Sequence, residues 1–127
     1  MKATVVEGIP RLHTVANPEI KVSPSNELIV EADDRNERRF RLVFSPFQGI
    51  KIITIDCYKV PEALAPLSGH VMEISNSEWM DELRRVLSRK DETATFMDKA
   101  RHFMVPLGDA VLEVVAWRFS VSYLEPA

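Results

Sequence analysis

Three features of this 127-residue chain predict an α+β fold: an antiparallel sheet, or a partly open barrel or sandwich, with one main helix packed on it. Several stretches rich in β-branched and aromatic residues are bounded by turn formers, the pattern of strands. One amphipathic helical pattern, about residues 76–89, stands among them. Gly108-Asp109 between two β-rich runs has the chemistry of a two-residue hairpin turn, with glycine supplying the positive φ.

Taken in order, residues 1–26 are punctuated by Pro10, Pro18 and Pro24, which remove ladder donors and leave room for short strands. Val5–Glu7 and Leu12–Val15 fit such edge strands. Glu27–Ala32 reads as a strand ending at the charged turn Asp33-Asp34-Arg35-Asn36. Arg39–Phe44 alternates, with Phe40, Leu42 and Phe44 on one face and the arginines on the other. Ser45-Pro46-Phe47-Gln48-Gly49 has turn composition, and Ile50–Cys57 is again β-rich, so a three-strand meander is expected.

Pro61, Pro66 and Gly69 make residues 59–69 a loop. Ser75-Asn76-Ser77-Glu78 then fits a capping box with Ser75 as the cap, and Ile74 and Trp79 have the spacing of a hydrophobic staple. Trp79, Leu83, Val86 and Leu87 form the helix's apolar stripe. Residues 91–98 carry no assignable pattern.

Composition supports a single domain over residues 1–127. Hydrophobic residues at 46% and charged residues at 28% exclude the disordered, collagenous and coiled-coil classes. The net charge of −3 gives no general attraction to nucleic acid or anionic lipid. One cysteine, Cys57, excludes an internal disulfide and a thiolate-rich zinc site, and it reads as a small buried hydrophobe. The opening residues lack the apolar core of a secretory signal, and no window has the length of a membrane span, so a cytoplasmic location without membrane association is expected. His13, His70 and His102 lack metal-ligand spacing, and neither a phosphate loop nor a serine elbow is present; no metal or cofactor is expected.

The hairpin register places the candidate site. With Gly108 and Asp109 as the loop, Phe103 faces Val114, Val105 faces Leu112 and Arg101 faces Ala116 on one sheet surface. Pro106 falls opposite Val111, at a non-hydrogen-bonded position that tolerates its missing N–H. His102, Met104, Glu113 and Val115 share the second surface, and simple alternation adds Trp117, Phe119, Val121 and Tyr123 to it. His102 and Glu113 become diagonal neighbours, a pairing that orients an imidazole for acid–base work. On a half-exposed sheet face, however, such a pair is more often a polar surface contact.

The ligand-binding candidates are therefore His102, Glu113, Trp117 and Tyr123, with no catalytic residue assigned. Met104, Val115, Phe119 and Val121 are the candidate subunit interface. A sheet apolar on both faces needs two covers, and one helix supplies one. The N-terminal strands or a second copy must supply the other.

The stretches Phe44-Ser45-Pro46-Phe47-Gln48, Asn76-Ser77-Glu78-Trp79 and Arg101–Ala116 resemble small bacterial proteins of undefined role, over residues 41–121. The resemblance carries no catalytic motif and implies no activity. The sequence thus favours a small non-catalytic binding or accessory domain that forms a homodimer and takes a protein partner. A first alternative is a ligand binder or enzyme using His102 and Glu113 beside Trp117. A second is weak nucleic-acid contact through Arg35, Arg38, Arg39 and Arg41, which their acidic neighbours disfavour.

Overall fold

The computed structural model describes residues 2–59 and 69–125. Seven strands form one antiparallel sheet, open at both edges: β1 (Lys2–Val5), β2 (Glu19–Val22), β3 (Leu28–Asp33), β4 (Arg39–Thr54), β5 (Met72–Ser75), β6 (Arg101–Pro106) and β7 (Ala110–Tyr123). Their spatial order is β1-β5-β6-β7-β4-β3-β2. One α-helix, α1 (Glu78–Lys90), and the 3₁₀ turns Ile55–Cys57 and Phe96–Lys99 complete the regular structure among the described residues. The fold is α+β, and the sheet does not close into a barrel.

The β6–β7 hairpin has the register that its turn chemistry dictates. Arg101 pairs with Ala116, Phe103 with Val114 and Pro106 with Val111, and Gly108 has a φ of 92°. The Leu107 N–H donates to the Ala110 carbonyl, which makes the next pair, Pro106–Val111, a non-hydrogen-bonded one. Strand β5 pairs with β6 from His102 to Met104, so among the described residues the Pro106 end has no strand partner on that side.

β4 departs from the expected meander. Ser45–Gly49 is not a turn but the middle of one 16-residue strand, entered through a cis Ser45–Pro46 bond. Phe47 pairs with Ala116 and Gly49 with Val115, which leaves Gln48 as the extra residue of a bulge. A proline and a glycine that would normally terminate a strand are tolerated at such a bulge. β4 ends at Thr54, and Ile55–Cys57 forms a 3₁₀ turn. The meander that does exist is β2–β3–β4.

The same region breaks the alternation expected in β7. Trp117 packs on the helix side with Val115, whereas Phe119 and Val121 pack in the main core with Phe40, Leu42, Phe44 and Phe103. A bulged strand bends and twists more strongly, so a straight count of odd and even residues fails there. Trp117, Phe119, Val121 and Tyr123 are therefore not one stripe.

The main core lies on the face away from the helix, and the N-terminal segment covers it. β1 and β2 occupy opposite edges of the sheet, so the chain between them must cross the whole face. Six inter-strand gaps span about 29 Å, within reach of thirteen extended residues at about 3.3 Å each. Val6, Leu12 and Ala16 are buried in the core along this crossing, which is fastened by hydrogen bonds from Val6 N to Val71 O and from His13 N to Asp33 O. The expected strand at Leu12–Val15 is a single bridge between Leu12 and Asp34, and β1 precedes the expected Val5–Glu7.

α1 covers the opposite face. Its cap is Ser77, not Ser75: the Ser77 Oγ accepts from Met80 N at 3.1 Å, while Ser75 belongs to β5 and donates to the Lys2 carbonyl. Ile74 accordingly packs with Met104 and Val111, and no staple to Trp79 forms. Met80, Trp79, Leu83 and Leu87 pack against Met97, Ala100, Val115 and Trp117, leaving Val86 exposed. Gly49 lets the helix approach this closely, since a Cβ there would lie 2.8 Å from the Trp79 ring. Residues 60–68 of the expected 59–69 loop lie outside the described residues.

Candidate functional site

The hairpin register brings His102 and Glu113 together as diagonal neighbours: Met104 is opposite Glu113, and His102 is opposite Val115. The His102 Nε2 lies 2.5 Å from Glu113 Oε1, and its Nδ1 lies 2.7 Å from the Ser77 Oγ. Because Ser77 Oγ already accepts from Met80 N, its hydroxyl proton is free to be donated to Nδ1. In the neutral imidazole this network assigns the proton to Nε2, which donates to the carboxylate. The resulting line, Ser77–His102–Glu113, runs from the start of α1 through β6 to β7. His102 itself is 4% exposed, so the pair is no solvated surface contact.

Three further residues complete the surroundings of Glu113. Lys51 is its direct cross-strand neighbour on β4, and the Lys51 Nζ lies 4.1 Å from the centre of the Trp79 ring, a cation–π contact. Trp79 in turn meets the His102 ring edge-on, with centroids 5.2 Å apart. The Tyr58 hydroxyl donates to Glu113. Burial pushes the Glu113 carboxyl up, but hydrogen bonds from His102 and Tyr58 and the charges of His102 and Lys51 outweigh it and hold the group below its ordinary value. The Tyr58 hydroxyl is pushed well above its ordinary value, first by burial and then by the negative charge of Glu113.

These groups line a cavity of about 510 Å³ between α1 and the β4–β7 surface, with Lys51, Tyr58, Trp79, His102 and Glu113 on its walls and Ile53 and Ile74 as apolar lining. Cys57 also borders it and is exposed, contrary to the buried position expected for it. The arrangement can bind a polar group against an ionised, oriented carboxylate.

The other two expected ligand residues lie elsewhere. Trp117 lines a separate cavity of about 500 Å³ under the other end of α1. Tyr123 stands at the far end of β7, opposite Phe40, where its hydroxyl donates to Asp34 Oδ2 at 2.9 Å and Arg38 covers its ring. Trp117 keeps to the face of Glu113 and Val115 but lies further along β7, under the other end of α1, while the break in alternation beyond it puts Tyr123 on the opposite face. The expected subunit contact is also absorbed within the chain: Met104 and Val115 have no exposure, and Phe119 and Val121 pack on the core.

Three of the four clustered arginines are likewise engaged. Arg39 bonds Asp33 and the Asn17 carbonyl, Arg41 makes two bonds to Glu31, and Arg38 covers Tyr123. Phe40 and Phe44 are fully buried and offer no stacking surface.

Sequence reasoning missed Ser77, Lys51, Tyr58 and Trp79 as site residues. Lys51 had a usable signal, an opposite-charge partner directly across from Glu113, but it becomes visible only once β4 is paired with β7. Among the described residues no helix is long and apolar enough to cross a membrane, and no group of three potential ligands stands ready for a metal. The chain matches no family model, no curated protein and no solved structure.

Proposed function

We propose that the chain is a cytoplasmic, non-catalytic binding domain that takes a small polar ligand in the cavity above Glu113. The observation that carries this reading is the ionised Glu113 carboxylate in that cavity wall, oriented by His102 from within the sheet. Fixed polar groups in a partly apolar concavity are the usual makings of a ligand site. Because Glu113 accepts and does not donate, the ligand group that meets it carries a hydrogen-bond donor.

A thermal-shift panel of small amines, alcohols and amides tests this. A binder should raise the melting temperature of the wild type and leave Glu113→Gln unmoved, because ligand binding stabilises the folded state in proportion to occupancy. If no compound discriminates the two proteins, the reading fails. Self-association would use the outer edges of β1 and β2, since Met104 and Val115 are fully buried within the chain. Light scattering that shows a monomer at high micromolar concentration removes that part.

A second reading, catalysis, is favoured by the Ser77–His102–Glu113 line, in which a hydroxyl, a base and an orienting carboxylate follow one another at hydrogen-bond distance. Ser77 is 5% exposed and engaged as a helix cap, which favours a structural role for it. Ester hydrolysis by the wild type that is absent from Ser77→Ala would establish the catalytic reading; its absence in both would dismiss it.

A further inference from the structure

The cavity that contains Trp117 has a chemistry of its own. It lies between the C-terminal half of α1 and the bulged part of β4, about 500 Å³ in volume, with Phe47, Leu83, Leu87, Phe96 and Met97 as its apolar walls. Asn26 and Lys90 also border it, and two further polar atoms belong to its lining residues. The Trp117 Nε1–H and the Gln48 Oε1 are both buried, and neither has a hydrogen-bond partner among the described residues. One is a donor and the other an acceptor.

Their positions are not accidental products of a loose surface. Gln48 is the extra residue of the β4 bulge, and its amide is anchored by a 3.0 Å bond from Nε2 to the Pro46 carbonyl, which holds Oε1 free. Trp117 follows Val115 on the helix face, and the alternation of β7 breaks just beyond it, where Phe119 turns to the main core. Buried donors and acceptors left unpaired are unfavourable and uncommon in folded proteins, and here one of each belongs to two residues that line the same cavity. Bulges that re-aim a side chain are over-represented next to such sites.

We propose that this cavity binds a neutral amphiphile whose polar end offers both an acceptor for Trp117 and a donor for Gln48, a primary carboxamide being the simplest, with its hydrocarbon part against Leu83, Leu87 and Met97. Lys90 is the one charged residue of the lining, and no residue of opposite charge stands with it there. The site is separate from the one above Glu113 and does not depend on it.

Octanamide is the probe, and the two indole N–H resonances, assigned with Trp79→Phe, are the readout. Octanamide should move the Trp117 indole signal in a saturable way and leave that of Trp79 in place. N,N-dimethyloctanamide, which keeps the acceptor and lacks the donor, should bind about three- to tenfold more weakly, as should Gln48→Leu with octanamide. Gln48→Leu leaves the indole intact, so it keeps the test decisive if Trp117→Phe fails to fold. The proposal is overturned by an unmoved Trp117 signal at millimolar octanamide, by a response confined to Trp79, by equal binding of the two amides, or by water contacts to the indole that octanamide does not displace.

Discussion

Two carboxylates, buried Asp34 and partly buried Glu113, stand toward opposite ends of the β4–β7 ladder and each receive a tyrosine hydroxyl, yet their settings differ. Asp34 accepts from the backbone N–H groups of Asn36 and Arg38 at 2.8 and 2.9 Å and from Tyr123, which closes the turn between β3 and β4. Two of its three partners are main chain of the same turn, and the third comes from β7. Glu113 is held by side chains from other elements, His102 of β6 and Tyr58 beyond β4, and it lines a cavity. A carboxylate satisfied by the turn it builds is structural; one satisfied by side chains around an open volume is the kind that the proposed ligand would meet.

The largest effects should come from removing the two anchors. Asp34→Ala strips the turn of all three bonds and leaves their donors unpaired, and we expect a loss of about 3 kcal/mol in denaturant unfolding. His102→Ala leaves both Ser77 and Glu113 without their shared partner inside the helix–sheet contact, with a loss of about 2 kcal/mol. The contrast lies in binding: His102→Ala should abolish the ligand response of the Glu113 cavity, and Asp34→Ala, in whatever fraction folds, should keep it. A ligand response insensitive to His102 would erase the distinction between the two ends.

Much of this contrast was readable before the fold was known, and the unreadable part has a physical pattern. Gly108-Asp109 sets the hairpin register locally, so Phe103–Val114 pairing and the His102–Glu113 diagonal follow from residues close in sequence. The Asp34 turn was visible for the same reason. Pro46 and Gly49 carry turn chemistry that β4 uses as a bulge within a continuous strand, a choice decided by pairing with β7 some seventy residues away. Every misplaced neighbour of Trp117, and the missed Lys51, traces to that one long-range event. The cap was misplaced by two residues because Ser75 and Ser77 both have cap chemistry, and the requirements of β5 decided between them.

Acidification should affect both ends in the same direction. Each carboxyl is held below its ordinary value, because hydrogen bonds and nearby positive charge outweigh the upward push of burial. Their stabilising contributions are therefore complete above the unfolded carboxyl range, about pH 4, and are lost as pH falls through the lower folded values. Glu113→Gln should flatten part of the acid limb of stability against pH, and Asp34→Asn another part. An unchanged limb in both would show that neither hydrogen-bond set favours the ionised form.

The helix that roofs the cavity gives a smaller, sharper test. Ser77→Ala removes the cap bond to Met80 N and the donor to His102, for an expected loss of about 1 kcal/mol. Gly49→Ala forces its new methyl group against the Trp79 ring, and overpacking of this kind costs about 1–3 kcal/mol. Displacement of Trp79 also disturbs its contacts with Lys51 and His102, so Gly49→Ala should shift the Trp79 indole signal while leaving the Asp34 turn untouched. A shift in Trp117 alone would place the strain on the other cavity.

The smallest expected effect separates the two tyrosines. Burial and an adjacent carboxylate push both hydroxyls above their ordinary value, so in each case the folded state favours the neutral phenol. That contribution is present below about pH 10 and is lost as pH rises through the raised folded values. Tyr58→Phe and Tyr123→Phe should each lose about 1 kcal/mol at neutral pH, the net worth of one hydrogen bond. Their consequences then diverge. Tyr123 braces a turn, so its substitution should leave ligand affinity at the Glu113 cavity unchanged; Tyr58 donates to the carboxylate proposed to meet the ligand, so its substitution frees an acceptor and should change which donors bind. Equal affinities and equal preferences in the two variants would mean that Tyr58, like Tyr123, serves the fold alone.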